Sequence, residues 1–317
     1  MQHDPARNPW PVLDYAQWRD TLQTLHLWTQ VVGKVRLTLS PWLNHGWQVP
    51  LYVTARGLVT TAIHAEGGIV DVEFDFVDHR LVVRNSEGPD RGFPLAPMSV
   101  ATFYQRLMSE LKAAGFAVAI NVMPNELPAP IRFPDDETHK SYDGEAVHRF
   151  WRALMQVDRV FKLFRTSFLG KCSPVHFFWG SFDLAVTRFS GRRAPVHPGG
   201  FPGLPDPVTR EAYSHEVSSA GFWPGNEAYP NAAFFSYAYP TPAGFAQAAV
   251  GPAEAFFSET LGEWMLPYDA VRTAADPDAA LLDFLSSTYR AASELAGWDR
   301  SLDCGMGVAR TPTTVHG

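Results

Sequence analysis

The order of apolar and polar positions predicts a helix, a run of strands and a second helix, and then the same succession again. Tyr15, Trp18, Leu22, Leu25, Thr29 and Val32 recur at helical spacing. Asp14 precedes them as an N-cap acceptor, with Gln17 in the capping-box position. Gly33 is read as the left-handed residue that ends this helix. From Lys34 to Leu95 the period falls to two, through Val35-Leu37-Leu39, Leu51-Val53, Val59-Thr61-Ile63, Val70 to Phe76 and Leu81-Val83. Gly67-Gly68 and Asp78-His79 supply short turns, which join antiparallel neighbours. Ser99 then caps a helix carrying Val100, Phe103, Tyr104, Leu107 and Leu111, which stops at Gly115.

Residues 121–143 combine four prolines with Asp135-Asp136-Glu137 and read as a linker. A helix follows from about Glu145 to Gly170, bearing Val147, Trp151, Leu154, Val157, Phe161, Phe164 and Phe168. Strands are expected around 174–189, 213–222, 233–239 and 254–264, interrupted by the Pro/Gly-rich loop 191–207. Asp276-Pro277 opens a last helix as N-cap and N1, and it ends at Ala296-Gly297-Trp298. The fold class is α+β: two similar helix–antiparallel-sheet–helix halves spanning 1–120 and 144–300, the 121–143 linker between them, and a flexible tail at 301–317.

One motif recurs in both halves. Gly33-Lys34, His45, Trp47 and Val53-Thr54 are echoed by Gly170-Lys171, His176, Trp179 and Val186-Thr187, although Gly to His spans 12 residues first and 6 afterwards. An internal duplication would leave a cleft between related halves, a preferred place for a ligand.

Composition narrows the classes of function. A hydrophobic content of 46% with 19% charged residues suits a packed globular chain. The net charge of −7 and the lack of a basic run argue against nucleic acid as a partner. No apolar stretch has the length of a membrane span, and the N-terminus does not resemble a signal peptide, so a cytoplasmic protein is expected. Two cysteines, Cys172 and Cys304, supply neither a disulfide framework nor a CxxC metal site.

The Walker loop, GxGxxG, HExxH and GxSxG signatures are all missing. What remains is a set of histidines and charges in apolar company. His26, on the inward helix face, reads as a core residue donating to a carbonyl. His45 lies beside Trp47, and His176 opens an apolar strand containing Asp183, a carboxylate that needs a partner such as Arg188 or Lys171. His215 and Glu216 point to opposite faces of a strand, and Glu263 lies near a strand end before Pro267.

The stretches from Leu25 to Lys34, Asn44 to Trp47, His176 to Arg188, His215-Glu216 and Phe234 to Tyr237 together resemble a bacterial protein family described only as a domain of unknown function. The resemblance runs from about residue 8 to about residue 298, and it implies one full-length unit without assigning an activity or a catalytic residue.

Three functions follow from the residues. The first is a small-molecule site between the halves, with Lys34 and Lys171 favouring an anion, Trp47 and Trp179 as walls, and Asp183 and Arg188 as further contacts. The second is a metal-dependent hydrolase or oxygenase holding a divalent ion on His45, His176, His215 and Glu263, with Glu216 a further catalytic candidate. The third is a non-catalytic scaffold in which the repeated residues cap and pack two subdomains.

Overall fold

A computed structural model describes residues 9–307. Its described residues form six α-helices and two antiparallel sheets, the mixed α+β class expected. The first sheet runs in the order β1 (Tyr52–Val53), β2 (Gly57–Val59), β4 (Gly68–Asp75), β5 (Arg80–Asn85) and β6 (Arg91–Pro94), with β3 (Ile63–Ala65) also paired to β4. The second runs β11 (Phe256–Ser258), β12 (Glu263–Pro267), β10 (Ala233–Tyr239), β9 (His215–Trp223), β8 (Asp183–Arg193) and β7 (His176–Phe178). An isolated bridge joins them: Leu51 and Phe177 exchange both backbone hydrogen bonds at 2.9 Å.

The first helix, α1, spans Tyr15–Leu39, so Gly33 does not end it and Val35-Leu37-Leu39 is not a strand. Every residue from Leu27 to Arg36 is buried. A helix buried on all sides belongs to the centre of the molecule, and there Gly33 has a packing role. A Cβ at this position would lie 2.3 Å from the Trp179 indole, so the missing side chain is where the ring rests. The helix stops at Ser40, before Pro41, whose ring disfavours helical backbone in the preceding residue. Asp14 caps the other end by accepting from the Ala16 amide, and the Gln17 side chain donates to the Asp14 carboxylate rather than accepting from its backbone N–H.

Other expectations divide at points of backbone geometry. Thr61 takes φ +62 and splits the expected 59–63 strand into β2 and β3. Gly180-Ser181 turns the 174–189 run into the β7–β8 hairpin, and the 254–264 run becomes the β11–β12 hairpin. Strand β6 and helix α4 (Asp206–Ala212), the latter beginning at the end of the Pro/Gly-rich loop, had no counterpart in the pattern. The expected caps hold at Ser99, which opens α2 (Val100–Ala113), and at Asp276 with Pro277, which opens α6 (Pro277–Leu295), while α3 (Gly144–Arg165) is capped by Asp143, which the sequence pattern had left in the linker. Helix α5 (Tyr268–Arg272) follows β12 directly.

Helix α1 packs against α2, α3 and strand β3 of the first sheet. Trp28 stacks on Phe103 of α2, which stacks in turn on Phe74 of the first sheet. On the second sheet, Leu184, Val186, Phe222, Phe234 and Leu266 join the core, with Phe222 and Phe234 against Tyr268 of α5. The two copies of the recurring motif occupy different local structures, Gly33-Lys34 within a helix and Gly170-Lys171 in a loop after one. Of the tail, residues 301–304 are docked, with the Cys304 amide bonded to the Ser167 carbonyl, and 308–317 lie outside the described residues.

Candidate functional site

Strand parity decides which side chains share the free face of the second sheet. Across β8, β9 and β10 the register aligns Ala185 with Gly221 and Phe235, and Thr187 with Ser219 and Tyr237. Directly opposed residues share a face, and the Thr187 and Ser219 hydroxyls confirm it by lying 2.8 Å apart. By alternation, Asp183 and Phe189 belong to this face and Arg188 to the other. Arg188 is accordingly buried on the helix side. Its guanidinium lies 3.6 Å from the Phe164 ring and 4.3 Å from that of Tyr289, and it donates to the Phe164 carbonyl. The expected Asp183–Arg188 pair does not form, because five residues along a strand reverse the face.

Two loops cover the free face. The segment 194–214 is tied down by Tyr239, which donates to the Pro195 carbonyl, and by a 2.8 Å bond between the Tyr213 and Tyr237 hydroxyls. The segment 121–127 joins it edge to edge: the Glu126 amide donates to Pro202, and the Asn125 side chain to Gly203. Gln30 of α1 holds Asn125 from below through its amide and carbonyl. Glu126 itself sits at φ +58, a left-handed backbone uncommon in a non-glycine residue. Its carboxylate lies against Gly180, where a Cβ would fall 2.1 Å from Oε1.

Beneath this cover the charge of Asp183 acts on two further carboxylates, Glu126 and Glu263. Asp183 is 7% exposed, and burial raises its pKa to about 7 against the hydrogen bond it accepts from Ser181. Glu126 and Glu263 are likewise raised to about 7, first by burial and then by the charge of Asp183. Burial also raises Tyr213 and Tyr237, and Asp183 adds to both. Among the described residues none of the three carboxylates has a salt-bridge partner.

The expected histidines assemble at a second place, where the two sheets meet. Trp47 is the centre: its ring lies 5.6 Å from that of His45 and 5.7 Å from that of His176, and the Lys171 ammonium lies 4.9 Å above it. Phe189 closes the group at 4.6 Å from His45, and the His215 ring stands 5.7 Å from His45. His45 also holds a left-handed φ of +61 and bonds the Ala212 carbonyl through Nδ1, which ties it to the end of α4. Burial lowers His45 and, more strongly, His176, to about 3 with Arg36 and Arg165 adding to the effect.

Apart from Glu263, which belongs with Asp183, the remaining expected residues are placed outside both groups. Lys34, lowered to about 8 by burial, donates to the Asn125 side chain and lies 5.9 Å from the Trp179 ring. Glu216, on the opposite face from His215, accepts from Ser190 and Arg192. Glu263 faces Asp183, so the four metal candidates are split between two groups. Among the described residues no group of three or more His, Cys, Asp or Glu side chains is placed to hold a metal ion. His26 meets the Gly180 carbonyl at 2.8 Å, the core role expected for it. Sequence reasoning missed Arg36, Glu126, Tyr213 and Tyr237. Glu126 lay in a segment read as linker and Arg36 in a segment read as strand. Tyr237 had a signal in the polar alternation of Ser236 and Tyr237 within an aromatic run.

The fold is thus an α+β unit with two antiparallel sheets joined edge to edge, carrying polar side chains on a covered sheet face. The chain belongs to a family of unknown function, DUF5996, which matches residues 10–304. No curated protein and no solved structure matches it. No helix among the described residues is long and apolar enough to cross a membrane.

Proposed function

We propose that the protein binds a small polar molecule between the second sheet and its loop cover, and that Asp183, Glu126 and Glu263 exchange protons with it. One observation carries this reading: the buried Asp183 acts by its charge on both Glu126 and Glu263, and among the described residues none of the three carboxylates has a salt-bridge partner. Removing uncompensated carboxylates from water destabilises a fold, and such arrangements concentrate at functional sites. With pKa values near 7, the group holds protonated and ionised members together at neutral pH, the condition for general acid and base roles. The Tyr213–Tyr237 pair adds hydroxyls that donate or accept. Carboxylates and tyrosines in this number favour hydroxyl or ammonium groups on the part of the ligand that meets them.

A thermal-shift screen of sugars, polyols and amines against the wild type, Asp183→Asn and Glu126→Gln tests the reading. A compound that stabilises the wild type at least tenfold more tightly than Asp183→Asn supports it. A broad panel without any stabilising member, or one whose members protect all three proteins equally, refutes it.

A further inference from the structure

The junction between the sheets carries a different kind of chemistry from the carboxylate group. His176 is 1% exposed, and neither of its ring nitrogens has a hydrogen-bond partner among the described residues. A neutral imidazole always presents one donor and one acceptor, so at least one N–H is unused here. Arg36 is 8% exposed and donates through Nε to the Gln48 carbonyl, while its NH1 has no partner. The guanidinium lies 5.2 Å from the Tyr52 ring, which in turn stands 5.6 Å from that of His176. The Nε2 of His45, on the far side of Trp47, is also buried without a partner.

Charge at this place is one-sided. Arg36, Arg165 and Lys171 surround the two histidines, and none of them is in a salt bridge with a carboxylate among the described residues. Glu211 is the acidic residue whose charge reaches His45 and Lys171. Buried donors are paired in nearly all native structures, and each unpaired one asks for an explanation. Several together, next to a guanidinium, are explained by an acceptor that brings many lone pairs and a negative charge. Aromatic walls of Trp47, Tyr52 and Phe178 keep water away and strengthen such a contact.

We propose that Arg36 and His176 form a binding site for a small oxyanion, the carboxylate or phosphate group of a metabolite, with Tyr52 and Trp47 as its walls. Arg36 Nε is taken by the Gln48 carbonyl and the guanidinium also bonds the Tyr52 side chain, which leaves NH1 as the charged donor offered to either group. The His176 N–H supplies a further donor, and Lys171 adds positive potential across Trp47. The site does not depend on Asp183, Glu126 or Glu263.

The test is titration of the full chain with sodium phosphate and with sodium acetate, against sodium chloride at matched ionic strength. Thermal shift and the ¹⁵N-histidine NMR spectrum are the readouts. Saturable stabilisation by phosphate or acetate is expected, with a matching shift of the His176 signals, and the anion that saturates at lower concentration names the group. Arg36→Lys keeps the charge and loses the NH1 donor, so it should bind at least tenfold more weakly. Asp183→Asn should respond as the wild type does. The wild-type NMR titration decides the matter if Arg36→Lys fails to fold. The proposal is overturned if neither anion exceeds chloride in both readouts, or if a folded Arg36→Lys binds as tightly as the wild type.

Discussion

At the scale of single residues, Asp183 ties stability to pH. Its folded pKa, about 7, stands above the unfolded carboxylate value, so the folded protein holds this proton more tightly. The associated stability is fully present below about pH 4 and lost as the pH rises to 7. His26 and His176 act in the opposite sense. Their folded values of about 4 and about 3 lie below the unfolded one, so their contribution is present above pH 6.5 and lost as the pH falls through those values. The two trends overlap, and a difference measurement separates them. Asp183→Asn should be more stable than the wild type at pH 8, by on the order of a few kcal/mol, and the advantage should vanish by pH 4. Urea unfolding at both pH values checks this, and an advantage that does not change with pH would contradict the placement of Asp183. His176→Gln should lessen the loss of stability between pH 6 and pH 4, which the same unfolding series measures.

Among the elements, α1 shows most clearly what the pattern of residues could and could not reveal. Its start was legible because Asp14 and Gln17 are local signals, and so were Ser99 and Asp276-Pro277. Its end was not, since a glycine that stops a helix and a glycine that admits a ring from elsewhere read alike in one dimension. Trp179 is remote in sequence, and only the fold brings it to Gly33. The site shows the same division. His45, Trp47, Lys171 and His176 were legible as aromatic and cationic residues in apolar company, and they do gather. Glu126 was hidden because a Pro-rich segment looks like a linker whether it is solvated or folded over a sheet. The separation of Asp183 from Arg188 was legible from strand parity alone. Gly33→Ala tests the packing account. Helix propensity favours alanine by about 1 kcal/mol, but a Cβ 2.3 Å from a confined indole should reverse the sign. A net destabilisation of about 1–3 kcal/mol by chemical denaturation is expected. Adding Trp179→Leu should cost less in the Gly33→Ala background than in the wild type, a non-additivity that contacting residues show.

For the whole molecule, the Leu51–Phe177 bridge is where the sheets meet, and it lies inside the common core. Leu51 and Phe177 are both fully buried, and Phe177 packs edge-on against Phe182 and Phe150. Sheets joined through such a seam should unfold together. Phe177→Ala should destabilise the protein by about 3–5 kcal/mol while leaving a single transition by tryptophan fluorescence and circular dichroism. Two separated transitions in the wild type would show instead that the halves melt independently. Charge is also divided at this scale. Among the described residues, cations and unpaired donors gather at the seam, and carboxylates without a salt-bridge partner lie beneath the cover, on one face of one sheet.

The indole resting on Gly33 also bears on how the family can drift. No single replacement at position 33 is free while Trp179 keeps its size, and a smaller residue at 179 leaves a hole while Gly33 keeps its own. An aligned set of relatives should therefore show the two positions changing together, with larger residues at the first accompanied by narrower ones at the second. Relatives that enlarge position 33 and retain the tryptophan should carry a bend or a shift in their central helix.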